Sequence, residues 1–247
     1  PQDDWQAEDI DLDIVYAAEA LLIVNKAAGL VVHPAAGNQH GTLLNALLFR
    51  YPELENLPRA GIVHRLDKDT SGLMMVALTL ASHRSLVAQL QERSIIREYQ
   101  AVVVGLITAG GVVDAPIGRH PAVRTRQAIV KGAGGRDAVT HYRVLEKFRS
   151  HTHIQLKLET GRTHQIRVHM AHMGYPLVGD QTYGGRLKLP RGASAELIDC
   201  LRSYKRQALH AFHLGLQHPQ SGEYLEWYAP LPQDMQHLLG ILEQDNA

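Results

Sequence analysis

The feature that most constrains this chain is the close spacing of short apolar runs from residue 99 to residue 228. Residues 99–104, 127–130, 139–148, 153–158, 208–217 and 224–228 are runs separated by Gly-rich or polar turns, the pattern of successive strands. Before them, Val15-Tyr16 and Leu21-Leu22-Ile23-Val24 read as short strands around an Ala-Ala-Glu-Ala turn, ending at Asn25-Lys26. Residues 73–80 are continuous enough in apolar character to form a buried strand. Helical spacing is rarer. Thr42 is placed to cap a helix striped by Leu43, Leu44, Leu47 and Leu48. Leu86, Val87 and Leu90 suit an amphipathic helix over 81–93. Ile166, Met170 and Met173 predict a helix after Gly161, and Met235, Leu238, Leu239 and Leu242 a closing one. Strands adjacent in sequence with a few interrupting helices predict an α+β fold on a mainly antiparallel or mixed β-sheet with flanking helices.

Composition narrows the chemistry. The single cysteine, Cys200, excludes an internal disulfide and a multi-thiolate zinc site, and fits a cytoplasmic protein. No apolar run is long enough to span a bilayer, so no membrane partner is expected. The formal net charge of zero hides an asymmetry. Residues 1–25 carry seven acids and no Lys or Arg, so the rest holds 25 basic against 18 acidic residues, a surplus of seven. The basic residues concentrate in two stretches read as loops. Arg119, Arg124, Arg126, Lys131 and Arg136 lie between 115 and 136, and Arg186, Lys188, Arg191, Arg202, Lys205 and Arg206 between 184 and 206. Two such stretches favour a polyanionic partner over ordinary solvated surface. Residues 1–13 read as an acidic, poorly ordered lead-in, and 14–247 as one catalytic domain.

Two segments are dense in reactive side chains. Gly61-Ile-Val-His-Arg-Leu-Asp-Lys-Asp-Thr-Ser-Gly72 crowds polar groups between apolar stretches, more than a simple turn needs. Extended backbone there would put Arg65 and Asp67 on one face and His64 and Leu66 on the other. Asp69 suits an Asx-type turn, which leaves Asp67 as the reactive acid; the competing reading of Asp67 is a surface ion pair with Arg65 or Lys68. The second segment, Glu159-Thr-Gly-Arg-Thr-His-Gln-Ile-Arg-Val-His-Met-Ala-His172, would place Arg162 above Ile166 and Thr163 above Arg167 if helical throughout. Its histidines lack the paired zinc spacing, so no metal is expected and packing or RNA-facing roles are favoured.

The nine residues His64-Arg-Leu-Asp-Lys-Asp-Thr-Ser-Gly72 resemble the signature of the RNA pseudouridine synthase family that includes ribosomal large-subunit enzymes. Val24-Asn-Lys-Ala-Ala-Gly-Leu-Val-Val-His-Pro34, Gly161-Arg-Thr-His-Gln-Ile-Arg-Val-His169, Gly174-Tyr-Pro-Leu-Val-Gly-Asp-Gln-Thr-Tyr-Gly184, Gln207-Ala-Leu-His-Ala211 and His218-Pro219 extend the likeness from about residue 14 to about residue 230. The chain is most similar to the large-subunit type. Ala27 stands where the family usually has Pro, which loosens a loop and touches nothing catalytic. Nothing here corresponds to the small RNA-binding domain that many members carry upstream, consistent with a trimmed chain.

The resemblance implies a sheet with a central catalytic cleft and isomerisation of uridine to pseudouridine, with large-subunit ribosomal RNA as partner, no cofactor, and a monomer. It implies Asp67, Tyr99 and Arg167 as the catalytic set, with Arg167 pairing Asp67. Arg65, His64, Ile166, Arg162, Arg124 and Arg126 are the expected RNA-contacting residues, Arg65 filling the space left by the extruded nucleotide. The rivals are a tRNA-modifying synthase, a non-catalytic RNA-binding assembly factor, and a glycoside hydrolase using Asp67 with Asp180.

Overall fold

The computed structural model describes residues 5–35 and 37–245. In chain order the elements are β1 (Ile14–Ala17), β2 (Leu21–Lys26), α1 (Leu43–Arg50), two 3₁₀ turns (Pro52–Asn56 and Pro58–Gly61), β3 (Ser71–Ala77), α2 (Leu80–Gln91), β4 (Ile96–Val104), β5 (Gly111–Asp114), β6 (Ile117–Arg119), β7 (Gln127–Ile129), β8 (Val139–Lys147), β9 (His151–Leu158), α3 (Gln165–His172), α4 (Ala195–Ser203), β10 (Leu209–Gln217), β11 (Tyr224–Tyr228) and α5 (Gln233–Gln244). The α+β class expected from the strand spacing is what forms. The chain divides into two compact units, one running to Ile96 and including Ala211–Ala229, the other comprising Arg97–His210 and Pro230 onward.

In the first unit β2 pairs antiparallel with both β1 and β3, and β10 with β11. All seven residues of β3 are buried, as its unbroken apolar run requires. Leu21 and Ile23 of β2, Leu73 and Met75 of β3, Leu86 of α2 and Leu214 and Leu216 of β10 form the core. The Thr42 hydroxyl accepts from the Asn45 N–H while the Asn45 side chain accepts from the Thr42 N–H, a reciprocal cap that starts α1 where the sequence places it. Thr79 and Ser82 do the same for α2, which is why Leu80 opens that helix instead of closing β3.

Residues 1–4 of the expected lead-in lie outside the described residues. Residues 5–13 take no regular secondary structure and are tied down. The Glu8 N–H donates to the Asn45 carbonyl, the Asn45 side chain donates to the Gln6 carbonyl, and the Glu8 carboxylate accepts from the Gly41 N–H.

In the second unit β9 pairs antiparallel with β4 and β8, and β8 with β5, while β6 and β7 form a separate two-stranded ribbon. Val102, Val178, Leu197, Leu201, Met235 and Leu238 form its main core. Two expectations are corrected here. The stretch 184–206 is not all loop: Ser194 caps α4, whose Leu197, Cys200 and Leu201 recur at helical spacing and are buried. The helix after Gly161 starts only at Gln165, so Arg162 and Thr163 are not on it. His164, at φ 57°, is left-handed and stops the helix from extending backward. No helix among the described residues is long and apolar enough to cross a membrane.

Candidate active site

The first unit carries the segment from His64 to Gly72. His64 turns inward, its Nε2 accepting the Met75 N–H at 3.0 Å, and Leu66 is buried. Arg65 is exposed and Asp67 half-buried, so the alternation expected of an extended backbone is present. The chain then turns, with the Thr70 N–H donating to the Asp67 carbonyl at 3.1 Å. Gly72 ends the turn at φ +119°, in contact with Ala211; a Cβ there would collide with the Ala211 carbonyl oxygen.

What anchors this segment is Lys26, which the sequence reading passed over as a strand end. Its side chain is 2% exposed, and its Nζ donates to the carbonyls of Ala27 (2.8 Å), Leu30 (2.9 Å) and Lys68 (2.9 Å). The Lys68 carbonyl also accepts the Gly29 N–H at 2.9 Å. A buried ammonium satisfied by three backbone oxygens therefore ties the 27–30 loop to the residue next to Asp67. The loop that Ala27 was expected to loosen is held by the lysine before it. The available signal was a lysine closing a strand that is apolar from Leu21 to Val24.

The second unit carries Tyr99, Arg162, Ile166, Arg167, Arg124 and Arg126. Tyr99 is buried in β4, on the face shared with Arg97 and Ala101. Arg97, also missed, is buried too. Burial pulls its guanidinium below the ordinary value and Tyr99 works against that. Gly161 packs so closely on Arg97 that a Cβ would press on its guanidinium. At the start of α3, Gln165 organises the turn: its Oε1 accepts from Thr160 Oγ1 (2.8 Å) and the Arg162 N–H (3.0 Å), and its Nε2 donates to the Val139 carbonyl (3.0 Å). Arg162 donates from Nε to the Asp137 carbonyl. Ile166 is buried.

Arg167 is buried and makes a bidentate pair with Asp180, Nε to Oδ2 at 2.7 Å and Nη2 to Oδ1 at 3.0 Å. Its guanidinium carbon lies 5.0 Å from the centre of the Tyr183 ring. Asp180 Oδ1 also accepts the Thr182 and Tyr183 N–H groups. Burial works to raise the Asp180 pKa, but the Arg167 bond and charge together with those two N–H donors outweigh it and hold the carboxyl below its ordinary value. A carboxylate with a lowered pKa and its oxygens engaged is unsuited to be the general acid of a glycosidase, which needs a raised pKa. Asp180 was named only in that rival reading; its role here is to fix the plane of Arg167.

Two of the segment's histidines have local partners. His164 Nδ1 bonds the Tyr183 hydroxyl at 2.8 Å, and that hydroxyl accepts the Gln127 N–H. His169 is fully buried between Thr140 Oγ1 and the Ala115 carbonyl, and burial pushes its pKa down. Among the described residues no three His, Cys, Asp or Glu side chains group as a metal site. Arg124 and Arg126 are exposed on the turn joining β6 to β7, with no acidic partner among the described residues.

The expected catalytic residues thus fall in both units, Asp67 in the first and Tyr99 and Arg167 in the second. Comparison with known proteins agrees with the motifs. The family model described as RNA pseudouridylate synthase matches residues 20–172. The chain is 61% identical over 244 residues to ribosomal large subunit pseudouridine synthase D of Pseudomonas aeruginosa, covering 99% of this chain and 76% of that protein. It is 58% identical over 241 residues to the protein of the same name from Escherichia coli, covering 98% and 73%. Among solved structures, the human RNA pseudouridylate synthase domain containing 4 superimposes with a TM-score of 0.74 at 26% identity, over 93% of this chain and 92% of that one. On its signature segments, its fold and these relatives, the chain belongs to the RNA pseudouridylate synthase family.

Proposed function

We propose that this protein converts uridines of large-subunit ribosomal RNA to pseudouridine, with Asp67 as the reacting carboxylate and Tyr99 and Arg167 completing the catalytic set. The reaction breaks the N1–C1′ bond, turns the uracil and joins C5 to C1′; the C5 proton is lost and N1 gains one, so the product is an isomer. Such chemistry asks for a carboxylate beside the ribose or base, acting as nucleophile or base, and no electron carrier. The observation that carries the reading is the segment around Asp67, where His64, Leu66 and the Lys26–Lys68 bond hold the backbone while the half-buried carboxylate alternates outward beside Arg65. In this reading Tyr99 stacks on the uracil and moves a proton through its hydroxyl, and Arg167, its plane set by Asp180, completes the catalytic set. Arg65 fills the space of the extruded nucleotide. Arg162, Arg124 and Arg126 contact phosphates, and Ile166 packs beneath the base. The inward bond of His64 to Met75 supports a positioning part for that residue in place of direct RNA contact.

The large-subunit substrate rests on the names of relatives that match nearly the whole chain. The lone cysteine supports action in the cytoplasm, and we assign a monomer. Asp67→Asn is expected to abolish tritium release from RNA labelled at uracil C5 while RNA affinity persists; turnover in that variant would overturn the assignment. Pseudouridine mapping of ribosomal and transfer RNA from cells lacking the gene tests the substrate. Sites lost only from transfer RNA would replace the ribosomal reading with the tRNA one.

A further inference from the structure

Immediately upstream of the Asp67 segment, three consecutive residues are left-handed: Arg59 at φ 54°, Ala60 at φ 50° and Gly61 at φ 77°. For Arg59 and Ala60 this is a strained conformation, retained only where the surroundings impose it. Its effect is to bring the Arg59 guanidinium to His33, Nε donating to His33 Nε2 at 3.0 Å. His33 is held in turn by an edge-on contact with Trp5, ring centres 6.0 Å apart. Since Nε2 accepts, the imidazole is neutral with its proton on Nδ1. Burial first, then the charges of Arg59 and Arg65, lowers its pKa to about 4.

The bond orients Arg59 without neutralising it. Arg59 is also close enough to Arg65 for that second guanidinium to depress its pKa, after burial. On α2, His83 is lowered by burial and then by Arg59. Neither Arg59 nor Arg65 has a carboxylate partner among the described residues. Thus the strained backbone presents a guanidinium that a neutral histidine aims, and no acid among the described residues offsets it. The terminal amino groups of the Arg59 fork suit an external oxyanion.

We propose that Arg59, oriented by His33, binds a phosphodiester of the RNA backbone next to the target nucleotide. The inference rests on the RNA-modifying reading above and adds a site outside the nine-residue signature, with His33 as its positioning residue. A phosphate held by Arg59 fixes the strand at the point where the base must leave its stack, and leaves Arg65 to enter that stack.

The test is the salt dependence of RNA affinity, measured by fluorescence anisotropy with in vitro transcribed large-subunit ribosomal RNA between about 50 and 200 mM salt. Arg59→Ala is expected to lower the slope of log affinity against log salt by roughly one, as the loss of one phosphate contact requires. Arg59→Gly is the decisive companion, because glycine adopts the left-handed backbone freely and this variant should fold at least as stably. It is expected to show the same reduced slope. His33→Phe retains the Arg59 charge and should keep the slope while weakening affinity several-fold. If Arg59→Gly binds with the wild-type slope and affinity, Arg59 is structural and the proposal is overturned. Retained isomerisation by Asp67→Asn would instead sink the catalytic assignment and leave the slopes untouched. Failure of the wild-type protein to bind this RNA would overturn the substrate reading and the phosphate site together.

Discussion

Replacing Lys26 by Met keeps an unbranched side chain of similar size in β2 and removes the ammonium that the Ala27, Leu30 and Lys68 carbonyls share. Hydrogen bonds to a charged group contribute about 1.5–3 kcal/mol each. Three of them are opposed by the several kcal/mol needed to bury one ammonium. At 2% exposure the carbonyls gain little access to water in exchange. A net loss of about 2–4 kcal/mol follows from these opposing terms. For activity, Lys68 directly follows Asp67, and a displacement of about 1 Å in a reacting group costs on the order of a hundredfold in rate. The variant should therefore unfold at a clearly lower urea concentration and lose kcat by about ten- to a hundredfold. Its RNA affinity should stay near wild type, since Lys26 is too buried to meet RNA. Urea unfolding followed by circular dichroism, with single-turnover tritium release, measures all three. An unchanged urea midpoint together with wild-type turnover would refute the idea that this lysine anchors the catalytic segment.

Two further outcomes follow from burial and backbone geometry. His151 and His153 both have pKa values pushed down to about 4, burial being the largest cause in each; Asp245 partly opposes it at His151. The unfolded chain therefore binds more protons than the native one between about pH 6.5 and 4, so stability is full above that window and falls within it, by about 3 kcal/mol per histidine. Urea midpoints across this range should drop with acidification, less steeply in His151→Phe; an identical slope in that variant would remove His151 as a cause. Gly72→Ala forces a Cβ into the Ala211 carbonyl, whereas Gly29→Ala, also at positive φ (+89°), meets nothing within 4 Å. The first should prevent stable folding and the second cost only about 1–2 kcal/mol of backbone strain. Comparable urea midpoints for the two would contradict the close approach at Gly72.

Much of the fold was legible because its signals are local. Thr42 and Asn45 cap α1 across three residues, β4 buries alternate side chains from Arg97 to Ala101, and the apolar run from Leu73 to Ala77 is buried on both faces. The left-handed turn at His164 was not legible, since a histidine carries no strong preference for it and the Gln165 network imposes it. α4 was hidden for a related reason: its basic flanks dominated the composition while its buried face rests on only Leu197, Cys200 and Leu201.

By itself the amino-acid order determined the α+β class, the family and Asp67 as the acid to test, because capping, strand alternation and a nine-residue motif are properties of neighbours along the chain. Only the tertiary structure decided that Lys26 holds the Lys68 carbonyl, that Asp180 grips Arg167, and that His33 aims Arg59. Those partners are 42, 13 and 26 residues apart. A buried charge takes whatever oxygen or nitrogen folding brings to it, and pairing over such separations leaves no periodicity to read.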